Sequence, residues 1–148
     1  MSDHARLLFV LFVGIWAGVI DLATLAVPLL VRRLGRERAW PAVHPLLALA
    51  DVLGVWAGAL AAIALFLGRA GYGWAWAFAM GLIALMVTAS LYDRAVLLPS
   101  LDASTKRLLA DPDPKWEAEW RFLWRMAAWG RWLTFVLAWG AIACAFAA

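Results

Sequence analysis

The chain has 148 residues, of which 66% are apolar and 16% charged, with a mean hydropathy of +0.82 and a formal net charge of +3. A water-soluble domain of this length needs a wetted surface, so the composition argues against one and favours a single membrane domain. The charges cluster at 32–38 and 93–131, as expected for loops that separate apolar spans, so the basic excess does not indicate nucleic-acid binding.

Four apolar segments are long enough to cross about 30 Å of hydrocarbon, which takes roughly 20 helical residues. They run over about 7–31, 45–67, 74–98 and 122–147, and Pro45 suits the first turn of the second helix. Unpaired backbone groups are too costly in lipid and no alternating barrel pattern is present, so each span is predicted to be a helix. The predicted fold is therefore all-α, a polytopic antiparallel bundle of four transmembrane helices.

Lys and Arg are distributed unevenly around these spans. Only Arg6 and Arg69 fall on one side, and the other basic residues follow span one or lie around the connection between spans three and four, including the entry of helix four. These are Arg32, Arg33, Arg36, Arg38, Arg94, Lys106, Arg107, Lys115, Arg121, Arg125 and Arg131. The positive-inside rule predicts that these loops are cytoplasmic and that both termini lie on the opposite side. In a bacterium, the location would be the inner membrane.

Tryptophan is abundant, with 11 residues, and three of them recur every four positions around the start of span four. Trp116, Trp120 and Trp124 therefore share one side of a helix. Asp113 can cap that helix and Pro114 can begin it. We predict an amphipathic lead-in on the cytoplasmic surface. Its tryptophans are either an interfacial anchor or a contact surface for a partner subunit or a flat cofactor.

Spans one and two contain a short sequence echo, GIWAG from Gly14 to Gly18 and GVWAG from Gly54 to Gly58. Small residues four apart allow two helices to approach closely in lipid. With antiparallel spans, we expect Gly14 to face Gly58 and Gly18 to face Gly54.

Ionisable residues inside the spans are the strongest functional signal, because charge is costly in lipid. Asp21 lies ~21 Å from the start of span one and Asp51 ~9 Å from the start of span two, so antiparallel spans would bring them to one depth. Arg131, ~13 Å into span four, could supply the compensating charge, and Thr88 and Tyr92 could add hydroxyls. The cluster is either a buried ionic network that fixes helix register or the lining of a cavity for a polar ligand, a cation or a proton.

Metal and cofactor chemistry has little support in the sequence. His4 and His44 lie at opposite ends of the predicted bundle, and the lone Cys144 forms no disulfide within the chain. We predict no metal site and identify no cofactor or catalytic motif, although His44 alone could offer one axial ligand to a haem or chlorin.

Val27-Pro28-Leu29-Leu30 closes span one, the stretch 88–99 closes span three, and the stretch 124–138 has Arg131 inside it. These three stretches resemble a broad group of small four-span bacterial membrane proteins, one branch of which is similar to anthrone-oxygenase-like domains. The chain differs from the group after Pro99 and immediately before Arg131. The resemblance implies the four-span fold and a role for Arg131, and it implies no substrate.

The sequence favours a non-catalytic membrane subunit or accessory protein, because its short loops leave little room for a soluble active site. Such a protein would pack against copies of itself or against other membrane subunits, and its aromatic surfaces could contact a pigment or quinone. The alternative is a small carrier or a membrane enzyme for a lipid-soluble or small polar ligand. It would use Asp21 and Asp51 as proton-exchanging acids and Arg131 as their charge partner.

Overall fold

The computed structural model describes residues 3–68 and 73–147, with side-chain surroundings through residue 146, so Arg69 lies outside the described residues. The described chain is almost entirely helical and contains no strand. Its helices are α1 (Asp3–Leu34), α2 (Arg36–Leu67), α3 (Trp74–Tyr92), α4 (Leu98–Ala110) and α5 (Pro114–Ala147), with a π-helical turn, Asp93–Leu97, joining α3 to α4. The all-α prediction is confirmed for these residues.

Four helical segments of the described chain are long and apolar enough to cross a membrane. They are Asp3–Leu34, Arg36–Leu67, Trp74–Ala110 and Pro114–Phe146. Each predicted span coincides with one of these segments, the fourth extending one residue past its segment to the end of α5, which confirms their number and helical character. The helices are longer than the spans, because polar residues at the ends continue the helical backbone.

The second helix begins earlier than predicted. α2 begins at Arg36, so Pro45 lies inside the helix and the prediction that it occupies the first turn is wrong. The reason is the connection between α1 and α2, where Gly35 alone separates the helices. Gly35 has a φ of 75°, a left-handed conformation that glycine adopts without a steric penalty.

The third span does not end in a loop after Leu98. The N–H of Leu98 donates to the carbonyl of Asp93, the wider spacing that defines a π turn. Pro99 follows directly and has no N–H to donate to the carbonyl of Ala95, so a regular α-helical ladder would be broken here. The wider turn lets the chain continue into α4, which packs against α5.

The interior consists of two apolar clusters at opposite ends of the helices. One cluster takes its buried residues from 9–20, 57–65, 79–86 and 138–145. The other takes them from 23–27, 39–50, 97–108 and 120–127. α1, α2 and α5 contribute to both clusters, whereas α3 contributes to the first and α4 to the second. The buried polar residues Asp51, Ser90, Asp93 and Thr134 lie between the two clusters.

The close contact between α1 and α2 involves a tryptophan and two glycines. A Cβ added at Gly54 would lie 2.5 Å from Nε1 of Trp16, and one at Gly58 would lie 2.6 Å from Cζ3 of the same ring. Gly14 and Gly18 are exposed, and a Cβ at either would meet nothing within 4 Å. The expected pairing of glycine with glycine is therefore wrong, because the Trp16 indole occupies the position where α1 approaches Gly54 and Gly58.

The beginning of α5 follows the predicted pattern. The N–H of Lys115 donates to Oδ1 of Asp113 at 2.7 Å, and Pro114 is the first helical residue, so the cap is confirmed. Within the same helix, the Arg121 guanidinium donates a hydrogen bond to the Glu117 carboxylate, four residues earlier, at 2.6 Å. This hydrogen bond, together with the Arg121 charge, holds the pKa of the exposed Glu117 carboxyl below its ordinary value.

Candidate functional site

A layer of polar side chains separates the two apolar clusters, and four helical segments contribute to it. We call it the polar layer; it consists of Asp51, Ser90, Asp93, Arg131 and Thr134. The apolar residues that complete its cavity are Ile20, Ala23 and Ala50. Because α1, α2, α3 with its π turn, and α5 all line this cavity, the layer lies in the centre of the bundle.

Arg131 and Asp93 form the layer's ion pair. Nε of Arg131 lies 4.0 Å from Oδ2 of Asp93, and each side chain is 11% exposed. The backbone of α5 leaves room for the carboxyl, since a Cβ at Gly130 would lie 3.6 Å from Oδ1 of Asp93. At 4.0 Å the pair is longer than a direct charge-assisted hydrogen bond, which measures about 2.7–2.9 Å. Arg131 therefore holds Asp93 only loosely.

Asp51 is the second carboxyl of the layer, and it is buried. Its Oδ2 atom is shielded from solvent and has no hydrogen-bond partner among the described residues. The charged groups that act on it are Asp93, Arg131 and Arg94. A buried polar atom without a partner costs about 1–3 kcal/mol, so native proteins rarely keep one without a compensating role.

The charge count of the layer is unbalanced. Asp51 and Asp93 would carry two negative charges in a buried site, and Arg131 is the only cation that lines the cavity. The cavity volume is about 10 Å³, which is about the smallest volume that can hold one water molecule. An organic ligand does not fit there, whereas a proton, a water or a small cation does.

The structure brings together some of the predicted site residues and separates others. Asp51 and Arg131 line the same cavity, as the sequence suggested. Asp21 does not line it; it lies half-buried in a different cavity, which it shares with Arg131. Thr88 and Tyr92 are exposed, and the Thr88 hydroxyl donates to the Ala84 carbonyl of its own helix at 2.8 Å, so neither belongs to the polar layer.

Asp93 is the charged member of the layer that the sequence did not select as a candidate site residue. The predicted third span ends near residue 98, which places Asp93 at the membrane boundary. Continuation of the helix to Ala110 extends the packed bundle past this carboxyl, and Asp93 becomes 8% exposed. The sequence signal that could have identified it is the spacing of the buried Leu98, Leu101 and Leu108, which fits one face of a helix.

The predicted contact surface at the start of α5 faces the chain's own helices. Trp120 is buried, donates its indole N–H to Oγ1 of Thr105 at 3.0 Å, and stacks on Trp124 at 5.2 Å between ring centroids. The Arg36 guanidinium lies 4.0 Å from the centroid of the Trp120 ring on α5. α4, which the sequence analysis did not predict, covers much of this surface. Trp116 is only partly buried, with Arg107 and Lys115 near its ring.

A second tryptophan ties α2 to α4. The indole N–H of Trp40 donates to Oδ1 of Asp102 at 2.9 Å, and Lys106 donates to Oδ2 of the same carboxylate at 2.6 Å. The Lys106 hydrogen bond, followed by that of Trp40, lowers the pKa of Asp102 below its ordinary value.

Within residues 3–68 and 73–147, no three His, Cys, Asp or Glu side chains are grouped so that they could hold a metal ion. No protein-family model matches the chain, and comparisons with curated proteins and with solved structures give no match. The fold and site therefore define the class only coarsely: a multi-pass helical membrane protein with a buried polar layer.

Proposed function

We propose that this chain is a small integral membrane carrier or enzyme that takes up and releases a proton at the carboxyls of Asp51 and Asp93, with Arg131 as their charge partner. One observation carries the proposal: Oδ2 of Asp51 is buried without a hydrogen-bond partner in a cavity that holds a second carboxyl and one guanidinium. A bound proton removes the surplus negative charge and turns one carboxyl into a hydrogen-bond donor.

The geometry favours a proton site over a fixed ionic network. A network that only fixes helix register is expected to have satisfied partners and short contacts, because an incompletely paired buried charge is destabilising. Here Arg131 lies 4.0 Å from Asp93, and Oδ2 of Asp51 is unpaired. The small cavity argues against a bound organic substrate in the layer itself, so the layer would serve as the proton donor and acceptor for chemistry or transport next to it.

The proposal includes an antiparallel bundle with the α1–α2 and α3–α5 connections in the cytoplasm. The indole N–H of Trp76, near the start of α3, donates to the carbonyl of Leu65, near the end of α2, at 3.1 Å. Each apolar cluster likewise combines the beginnings of two long helices with the ends of the other two. The basic residues follow span one and surround the connection between spans three and four, which supports this orientation. In this orientation the polar layer would lie toward the cytoplasmic half.

Infrared difference spectroscopy between acidic and alkaline pH tests the proton site in protein reconstituted in lipid. We expect a protonated-carboxyl band that titrates, is lost or displaced in Asp51→Asn or Asp93→Asn, and is kept in Asp21→Asn. All three variants remove one carboxylate within the spans, so Asp21→Asn is the matched control. A band that vanishes only in Asp21→Asn, or a wild type with no such band, would overturn the proposal.

The second candidate is the accessory subunit favoured by the sequence, and one observation supports it. α5 is the least buried of the four candidate spans, since only 22% of its most apolar stretch is buried inside the fold. It exposes Trp129, Trp132 and Trp139. A discrete monomer in mild detergent would argue against this function. A stable homo-oligomer, or co-purification with other membrane subunits, that is lost on Trp129→Leu would support it.

A further inference from the structure

A second cavity, which we call the lateral groove, lies between α1 and α5 and shares Arg131 with the polar layer. Its volume is about 180 Å³, far larger than that of the polar layer. The lining residues are Asp21, Thr24, Leu25, Arg131, Trp132 and Phe135. The groove therefore combines a carboxyl, a hydroxyl and a guanidinium with an aromatic wall.

The polar groups that line the groove keep hydrogen-bonding capacity that the described residues do not satisfy. Oγ1 of Thr24 is buried and has no hydrogen-bond partner among the described residues. Asp21 is half-buried, and it offers acceptor oxygens. The Arg131 side chain, only 11% exposed, borders both cavities and carries five N–H donors in a fixed fork. The groove can thus accept one hydrogen bond and donate another.

The remaining wall is aromatic and open to the surroundings. Trp132 and Phe135 meet edge to face, with ring centroids 5.9 Å apart. Trp132 is 58% exposed and Leu25 is 68% exposed, so the apolar margin of the groove faces outward on a span. A ligand could therefore reach the groove from the lipid, with its polar head inward and its tail among the acyl chains.

We propose that the lateral groove binds the head of a lipid-soluble hydroquinone, a hydroxylated ring with an alkyl tail. One ring hydroxyl would donate to Asp21, the other oxygen would accept from Arg131 or Thr24, and the ring would pack on Trp132. Asp21 and Arg131 give the groove groups of both charge signs, which favours a neutral head that donates to one and accepts from the other over a phosphate or a quaternary amine. The volume suits one ring, since drug-sized ligands occupy cavities of about 300–1,000 Å³.

Binding of a decyl-substituted benzohydroquinone to the purified full-length protein, measured by titration calorimetry in mild detergent, tests the assignment. We expect Asp21→Asn, Thr24→Val and Trp132→Leu each to weaken binding by about tenfold. Asp21→Asn replaces a carboxylate acceptor with a weaker neutral one, Thr24→Val removes a hydrogen bond, and Trp132→Leu removes the ring contact. Asp21→Asn and Thr24→Val keep the shape of the side chain, so an effect on folding is separable by the thermal unfolding midpoint.

Matched controls come from the same residue types outside the groove. Thr88→Val removes a span hydroxyl that is bonded to its own helix, and Trp56→Leu removes a tryptophan that is 66% exposed on α2. Both variants should bind as the wild type does. The assignment would be overturned if decylbenzene, which lacks hydroxyls, bound equally well, or if the control variants lost as much affinity as the groove variants. Asp51→Asn should leave binding intact, so failure of the proton site and failure of the groove are distinguishable.

Discussion

The indole of Trp16 occupies the space above Gly54 and Gly58, so that a Cβ at Gly54 would lie 2.5 Å from its Nε1 atom. Trp16 is 1% exposed, and a second neighbour, Val87, would be 2.6 Å from a Cβ at Gly58. A fully buried ring cannot move aside without disturbing the apolar cluster around it. Gly54 and Gly58 therefore form a recess on α2 in which the Trp16 side chain of α1 packs.

Alanine substitutions should affect stability differently in the two copies of the repeated motif, GVWAG on α2 and GIWAG on α1. We expect Gly54→Ala and Gly58→Ala to lower the free energy of unfolding by about 1–3 kcal/mol, because an added methyl group overpacks the contact with Trp16. Gly14→Ala and Gly18→Ala meet open space and should leave stability unchanged or slightly higher, since alanine favours a helix over glycine. Thermal unfolding in detergent measures all four. Equal effects in the two pairs would contradict the contact.

We expect the stability of the protein to depend strongly on Arg131, the one cation of the polar layer. Arg131→Met leaves Asp51 and Asp93 buried without a positive partner, and breaking a buried pair in this way costs about 3–5 kcal/mol. Adding Asp93→Asn should restore part of the loss, because the surplus charge is reduced again. Arg125→Met is the matched control, since Arg125 is exposed and should change stability by less than about 0.5 kcal/mol. If the double variant were no more stable than Arg131→Met, the electrostatic reason would be wrong.

The contact between Trp40 and Asp102 predicts a pH-dependent effect. The pKa of Asp102 is lowered in the folded protein, so the stabilisation is present above the unfolded value of about 3.9 and is lost as pH falls through the lower folded value. Trp40→Phe removes the indole donor and should cost about 1 kcal/mol at neutral pH, because the carboxylate is partly solvated. The difference from wild type should shrink below about pH 4. Urea or detergent unfolding at several pH values measures it.

The Asp102→Asn background provides the control for this effect. With no carboxylate at position 102, Trp40→Phe should have the same cost at every pH. A cost that keeps its pH dependence in this background would assign the titration to another group.

The sequence predicted the spans because the length of an apolar run is a direct physical requirement of the bilayer. It also selected Asp51 and Arg131, because ionisable residues inside apolar runs are few. The sequence did not determine which face of α1 packs against the other helices. The stripe Gly14, Gly18 and Asp21 does share a helical face, but Val13, Trp16 and Ile20 form the buried face beside it. Choosing between adjacent faces depends on packing between helices, which composition does not encode.

α4 was missed for a different reason. Its charged residues made 98–110 resemble a loop, although its buried positions repeat at helical spacing. The π turn before it has no signature in the sequence beyond Pro99, and Asp93 is the first residue of this turn. The candidate site was therefore predictable to the extent that it consists of isolated charges, and unpredictable where a local change of helix type positions the side chain.

The Trp120 contact provides the last prediction, because the ring has two separable roles. Trp120→Phe keeps an aromatic face for Arg36 and Trp124 but removes the N–H that Thr105 accepts, which should cost about 1 kcal/mol. Trp120→Leu also removes the ring over which Arg36 lies, and this adds up to about 2 kcal/mol for a partly desolvated cation–π contact. Trp129→Leu, at a residue 76% exposed, is the matched control and should change the unfolding midpoint little. If Phe and Leu at position 120 were equally destabilising, the guanidinium contact would contribute nothing, and the hydrogen bond to Thr105 together with apolar burial would account for the packing of α5 against α4.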